Sequence, residues 1–264
     1  MNSVAFPGAS SVTAMPLNTT HRIRNSIAEL GWRDAVWHAL ARLLQRLPGG
    51  HCALHRYQFV AQAVAPGTLC GGRGKAVVVT PCMDIETLPP GPPRPPAALQ
   101  ARFRQGARCL LASSSNLPLA GWLWMVHGAC QEDEVRARYL LPSPQASWDL
   151  DVWVHPDLRG GLVFARLWEE ANALLHGQGV RWSCSRISRF NRASLAAHAR
   201  LGTLDLGTAT FLRCGRWQWM LASRPPYVHL SRRADSFPRF IFDTSGLPHI
   251  PSLELTCRIL KQTP

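Results

Sequence analysis

The sequence predicts an α/β (α+β) fold: a mixed sheet covered by helices. Two observations carry this. Between residues 148 and 222 the chain alternates strand, helix, strand, helix, strand, strand, an order that argues for helices packed over a mixed sheet. Earlier, the apolar runs "GARCLLAS" (106 to 113) and "GWLWMVHG" (121 to 128) flank "SSNLPLA" and form an antiparallel pair.

Each element follows in order. Residues 1 to 20 are small and polar, with Pro7 and Pro16, and read as a loose arm. Residues 22 to 47 read as a helix. Ile27, Leu30, Val36, Trp37, Leu40, Leu43, Leu44 and Leu47 recur three or four apart, and Pro48-Gly49-Gly50 ends the run. Arg33, Arg42 and Arg46 lie on its polar side. Such a basic amphipathic helix docks on the domain or associates peripherally with a membrane surface; docking is the preferred reading. "LHRYQFVAQAV" (54 to 64) and "KAVVVTPC" (75 to 82) read as strands. "LPPGPPRPP" (88 to 96) is a loop, because six prolines in nine residues leave few donors. "WDLDVWV" (148 to 154) is a strand, 162 to 176 an amphipathic helix ended by Gly177 and Gly179, and "VRWSCSRIS" (180 to 188) a strand. A short helix spans about 193 to 201, and 208 to 222 gives two strands around Cys214-Gly215. The chain thus divides into an arm and helix (1–50), a domain (51–222) and a C-terminal tail (223–264).

Composition narrows the function. The formal charge is +13, yet only Lys75 and Lys261 are lysines and no basic block occurs. With no recognised nucleic-acid module, no nucleic-acid partner is expected. The excess charge suits a cofactor with several phosphates. None of the eight cysteines forms a C-x-x-C pair, so no metal site is expected and the thiols read as reduced, in a cytoplasmic protein. The longest apolar stretch, "LPLAGWLWMV" (117 to 126), is far below the roughly 20 residues that span a bilayer.

Two segments carry chemistry. In "DVWVHPDLRGGLVFARLWEEA" (151 to 171), an apolar strand ends at His155-Pro156 and a turn with Arg159, Gly160 and Gly161 opens a helix. In "RFNRASLAAHARLG" (189 to 202), Asn191 caps a helix that Gly202 ends, and Ser194 and His198 share one face. No G-x-S-x-G elbow is present, which disfavours hydrolysis by a serine triad.

Together these segments resemble the Gcn5-related N-acetyltransferase (GNAT) superfamily. Val154-His155-Pro156 and Arg159-Gly160-Gly161 match its V-x-P strand end and phosphate-binding turn. Asn191, Ser194, His198 and Gly202 match its second motif, with histidine where tyrosine is usual. The resemblance covers about residues 148 to 222. It implies a mostly antiparallel sheet with a splayed parallel strand pair and helices on both faces. It also implies acetyl-coenzyme A, or another acyl-coenzyme A, as cosubstrate. Trp153, Val154, Arg159, Gly160, Gly161, Leu162, Val163 and Asn191 would then bind the cofactor, with a backbone N–H near Trp153 or Val154 as oxyanion donor. His198 would be the general acid and Asp151 the base in preference to Asp149, with Ser185, Arg186 and Ser188 lining the site of a small-molecule or peptide amine. Leu162 and Phe164 stand where the family has glycines. That departure defines the alternative, a non-catalytic binding or scaffold module.

Overall fold

The computed structural model describes residues 31–47, 51–91 and 93–248. Among these, nine strands build the main sheet and three a smaller one. In chain order the first elements are α1 (Trp32–Gln45), β1 (Cys52–Ala63), β2 (Val78–Cys82), α2 (Pro96–Arg104), β3 (Arg108–Ser114), β4 (Leu117–His127), β5 (Ala129–Gln131) and β6 (Arg138–Leu140). Then come β7 (Ala146–Val154), a short 3-10 turn (Pro156–Leu158), α3 (Val163–Gly177), β8 (Trp182–Ser188), α4 (Arg192–Arg200), β9 (Leu204–Cys214), β10 (Trp217–Ala222), β11 (Val228–Ser231) and β12 (Arg239–Ile241).

The main sheet runs β11-β10-β9-β1-β8-β7-β4-β3-β2. Every neighbouring pair in it is antiparallel except β7 and β8. A βαβ unit forces this exception: β7 and β8 are joined through α3, and a helical crossover returns the chain in the same direction. The sheet is therefore mixed and mostly antiparallel, as expected.

Alternation along the strands gives two cores. Tyr57, Phe59, Trp122, Trp124 and Trp148 pack on one face with Leu99 and Phe103 of α2 and with Tyr139, Phe240 and Phe242 of the smaller sheet and its flank. Leu123, Met125, Val163, Leu167, Trp168 and Leu175 pack on the other, under α3. Helices thus cover both faces. Trp122, Trp124, Trp148 and Trp168 are all fully buried, so much of the interior is indole.

Three expectations change. Pro96, at the end of the proline run, becomes the first residue of α2, where its missing N–H costs nothing. The expected tail is part of the domain: β11 extends the main sheet, β12 pairs in parallel with β6, and Phe240 and Phe242 are core residues. Only residues 249–264 of that segment lie outside the described residues. The helix expected over 22 to 47 is described from Trp32. It docks, but through Asp34, Ala35 and Ala41, and leaves Trp32, Val36 and Leu43 exposed. Asp34 accepts from Arg189 at 2.8 Å and from Arg56, so an ion cluster rather than an apolar stripe seats the helix. The arm at 1 to 20 lies outside the described residues. Among the described residues, no helix is long and apolar enough to cross a membrane.

Candidate active site

β7 and β8 pair from Ala146–Trp182 to Asp149–Ser185 and then part. At the same level a bulge at Leu150 interrupts the pairing of β7 with β4, between Met125–Asp149 and Trp124–Asp151. A bulge bends its strand, and here it coincides with the opening. Beyond it the phase is readable. His155 N–H donates to the Ala120 carbonyl at 2.8 Å. Bonded and non-bonded pairs alternate in an antiparallel ladder, so Trp153 and Asp151 also bond to β4, while Val152 and Val154 turn their backbone groups into the gap. Of the two amides expected to face the oxyanion, that of Trp153 is committed to β4 and that of Val154 faces the gap. Val152, not singled out from the sequence, joins it. Only the register, and not the sequence, carries that distinction.

The turn after β7 is partly self-satisfied. Arg159 N–H bonds to the Pro156 carbonyl at 3.3 Å and Gly161 N–H to that of Leu158 at 3.2 Å. The Arg159 Nε bonds to the Val154 carbonyl at 3.3 Å. These two amides are not available to a ligand, contrary to expectation. The amides of Gly160, Leu162 and Val163 have no backbone partner among the described residues, and Leu162 gives α3 no side-chain cap. Uncapped N–H groups at a helix start, with the helix dipole behind them, attract an anion. Space is present too: a Cβ added at Gly160 would meet nothing within 4 Å. Its φ of +80° is the left-handed conformation that favours glycine.

On the other wall Asn191 accepts from Ser194 N–H at 3.0 Å and so caps α4. It serves the helix, and its side-chain oxygen is spent there. One turn on, His198 is 4% exposed. Its Nδ1 donates to the Ser194 carbonyl at 2.8 Å, which leaves Nε2 facing Asp149 Oδ2 at 3.7 Å. Phe164 and Trp168 of α3 meet the imidazole edge-on, with ring centroids 5.5 and 6.1 Å away. Phe164 therefore packs between α3 and α4. Burial raises the Asp149 carboxyl above its usual range, and the neighbouring imidazole opposes that only in part.

Asp151 reaches the opening, but its carboxylate is engaged. Its Oδ1 accepts from Arg94 at 2.9 Å, and its Oδ2 from Arg102 at 2.9 Å and from the Trp122 indole at 3.2 Å. Both oxygens are committed to an ion-pair cluster that anchors α2 to β7. The bulge explains the difference between the two aspartates, because it flips the alternation and sends Asp149 and Asp151 to opposite faces.

A cavity of 340 Å³ occupies the opening, lined by Asp149, Asp151 and Val152 of β7 and by Asn191, Ser194 and His198. Its other wall holds His55, Tyr57, Glu134 and Arg186. Arg186 and Ser188 were expected there; His55, Tyr57 and Glu134 were not, since β1 and the 132–135 loop carry no motif. Tyr57 donates to Glu134 at 2.7 Å, and Arg186 bonds to Glu132 at 2.6 and 2.7 Å while covering the Tyr57 ring at 4.6 Å. Burial pushes the Glu134 carboxyl up, but Arg186 and the Tyr57 hydroxyl outweigh it, so Glu134 is held below its usual range. Burial lowers His55, and nearby Glu134 only partly offsets this. The wall thus presents a carboxylate beside a neutral imidazole.

No known family profile and no curated protein matches the chain. Its structural neighbours include GNAT acetyltransferases. A putative GNAT-family acetyltransferase from Novosphingobium aromaticivorans superposes with a TM-score of 0.38 at 12% identity, over 61% of this chain and 65% of that one. A tandem GNAT protein from the clavulanic acid biosynthesis pathway gives 0.37 at 15% identity, over 66% and 56%. A functionally unknown conserved protein from Staphylococcus epidermidis gives 0.43 at 10% identity, over 66% and 67%. The chain spans less than two thirds of the length of the two acetyltransferases. The likenesses are remote.

Proposed function

We propose that the protein is an N-acyltransferase that moves an acetyl or similar acyl group from coenzyme A to an amine by direct attack. The parted pair β7/β8 carries this reading. It leaves the backbone of Val152 and the N–H of Val154 turned into the gap, beside the uncapped start of α3. An exposed strand edge and a cluster of free amides suit a long amide-bearing ligand that ends in a diphosphate. The residues fit the group: the amides of Gly160, Leu162 and Val163 would hold the diphosphate, and the open space at Gly160 admits it. When bound, acyl-coenzyme A would supply an activated thioester, with the coenzyme A thiol as leaving group.

The chain's own groups supply the rest. The Val152 or Val154 N–H stabilises negative charge on the carbonyl oxygen. His198, its Nδ1 fixed by the Ser194 carbonyl, holds a proton at Nε2 for the departing sulfur. The Asp149 carboxyl lies 3.7 Å from that nitrogen. Proton acceptance from the amine falls to His55 and Glu134 on the opposite wall, in place of Asp151. Calorimetric titration with acetyl-coenzyme A tests the reading. Binding heat and a raised melting temperature are expected; no heat and no shift at millimolar ligand remove it.

A second reading has one observation in its favour. Phe164 lies on His198 between α3 and α4, as a module that had lost its cofactor would show. In that case Phe164→Ala creates acetyl-coenzyme A binding that the parent lacks.

A further inference from the structure

A second cavity, of 520 Å³, lies beside the β9–β10 turn and is lined in part by Arg136, Arg213, Arg216 and Arg232. Of the acids of its wall, Glu132 and Asp133 are ion-paired from inside, and Glu134 is hydrogen-bonded there. Glu132 accepts from Arg186 at 2.6 and 2.7 Å, Asp133 from Arg102 at 2.6 and 2.8 Å, and Glu134 from Tyr57 at 2.7 Å. The four arginines meet other groups. Arg136 donates to the carbonyls of Arg233 and Arg216 at 2.8 and 2.7 Å, and Arg213 to that of Glu134 at 3.0 Å. The guanidiniums of Arg216 and Arg232 lie 5.7 and 4.8 Å from the Trp217 ring centre. Among the described residues, none of the four pairs with a carboxylate. Burial, and after it the nearby Arg213, lower the Arg136 guanidinium from its usual value.

Four cations around a concavity, two of them anchored from behind by carbonyls, are arranged for a ligand with several negative charges. Planar guanidiniums match phosphate oxygens in pairs, and the volume suits a small molecule. Glu134 lines this cavity and the opening between β7 and β8, and its carboxylate lies 4.0 Å from His55. We propose that the arginine cavity binds the phosphate end of a small ligand and, resting on the acyltransferase reading, that this ligand is the acceptor, a phosphorylated amine. Its phosphate meets the arginines, and its ammonium meets Glu134.

Inorganic pyrophosphate is the probe, titrated into the full chain by calorimetry. Arg216→Gln with Arg232→Gln removes two exposed guanidiniums that hold no backbone group among the described residues, so the fold is kept. Arg108→Gln with Arg200→Gln removes the same formal charge from exposed positions elsewhere. The first pair is expected to raise Kd about tenfold, and the second less than about twofold. Equal weakening by both pairs, or by neither, overturns the site. Repeating the titration with saturating acetyl-coenzyme A separates two sources of phosphate. Retention of the pyrophosphate binding that depends on Arg216 and Arg232 assigns the arginines to the acceptor, and loss of that binding assigns them to the cosubstrate and overturns that assignment. Should acetyl-coenzyme A fail to bind while pyrophosphate still depends on Arg216 and Arg232, the acyltransferase reading falls and the phosphate site stands.

Discussion

Asp151 has both carboxylate oxygens occupied, by Arg94, Arg102 and Trp122, and the Arg102 side chain is 3% exposed. Removing the acid strips a buried guanidinium of one of its two partners. Asp151→Ala is expected to cost about 3 kcal/mol, read as a lower denaturant midpoint at unchanged slope. Lost turnover with intact stability would instead restore Asp151 as a base. Asp149 behaves differently because burial raises its carboxyl. An acid whose folded pKa exceeds its unfolded value binds its proton more tightly when folded. That contribution is present at low pH and is lost as pH rises from about 4 through the raised value. Asp149→Asn removes the titration, so its melting temperature relative to the parent should climb as pH rises through that window. A difference that stays flat with pH contradicts the assignment. In the sequence the two residues are alternate positions of one strand and read as sharing a face. A single bulged residue decides which is buried beside His198.

α1 shows what periodicity misses at the level of an element. Its apolar positions predict a buried stripe, yet Trp32 is 65% exposed and Val36 62%. The buried side holds Asp34, which gathers Arg56 and Arg189 from β1 and the end of β8. Asp34→Ala is therefore expected to loosen α1 at a cost of about 2 kcal/mol. Amides of 32–45 should exchange faster while those of the main sheet keep their protection; unchanged exchange in α1 would show that the cluster does not seat it. α3 is the opposite case. Leu167, Trp168, Ala171 and Leu175 are buried as their spacing predicts, and Arg166 pairs with Glu170 at 2.7 Å on the outer side. The difference lies in what each helix covers: α3 crosses an apolar sheet face, whereas α1 crosses two arginines.

At the scale of the whole molecule, the C-terminal segment belongs to the core. Phe240 is fully buried against Phe59, Tyr139 and Phe211. Phe240→Ala is expected to cost about 3–5 kcal/mol, since a large cavity would open between the two sheets. Its effect is measured by equilibrium unfolding, and a loss below about 1 kcal/mol would mean that the segment is dispensable. In the sequence this phenylalanine sits in a three-residue strand among prolines and arginines, too short for any period to show.

By itself, the sequence determined the order of the larger elements, the turn into α3 and the Asn191-capped α4. Each of these depends on neighbours within a few turns of chain. Only the tertiary structure decided which aspartate meets His198, which amides stay free, and that His55, Tyr57 and Glu134 face them across the gap. These depend on strand register and on contacts between residues far apart in the chain, where no local pattern records the outcome.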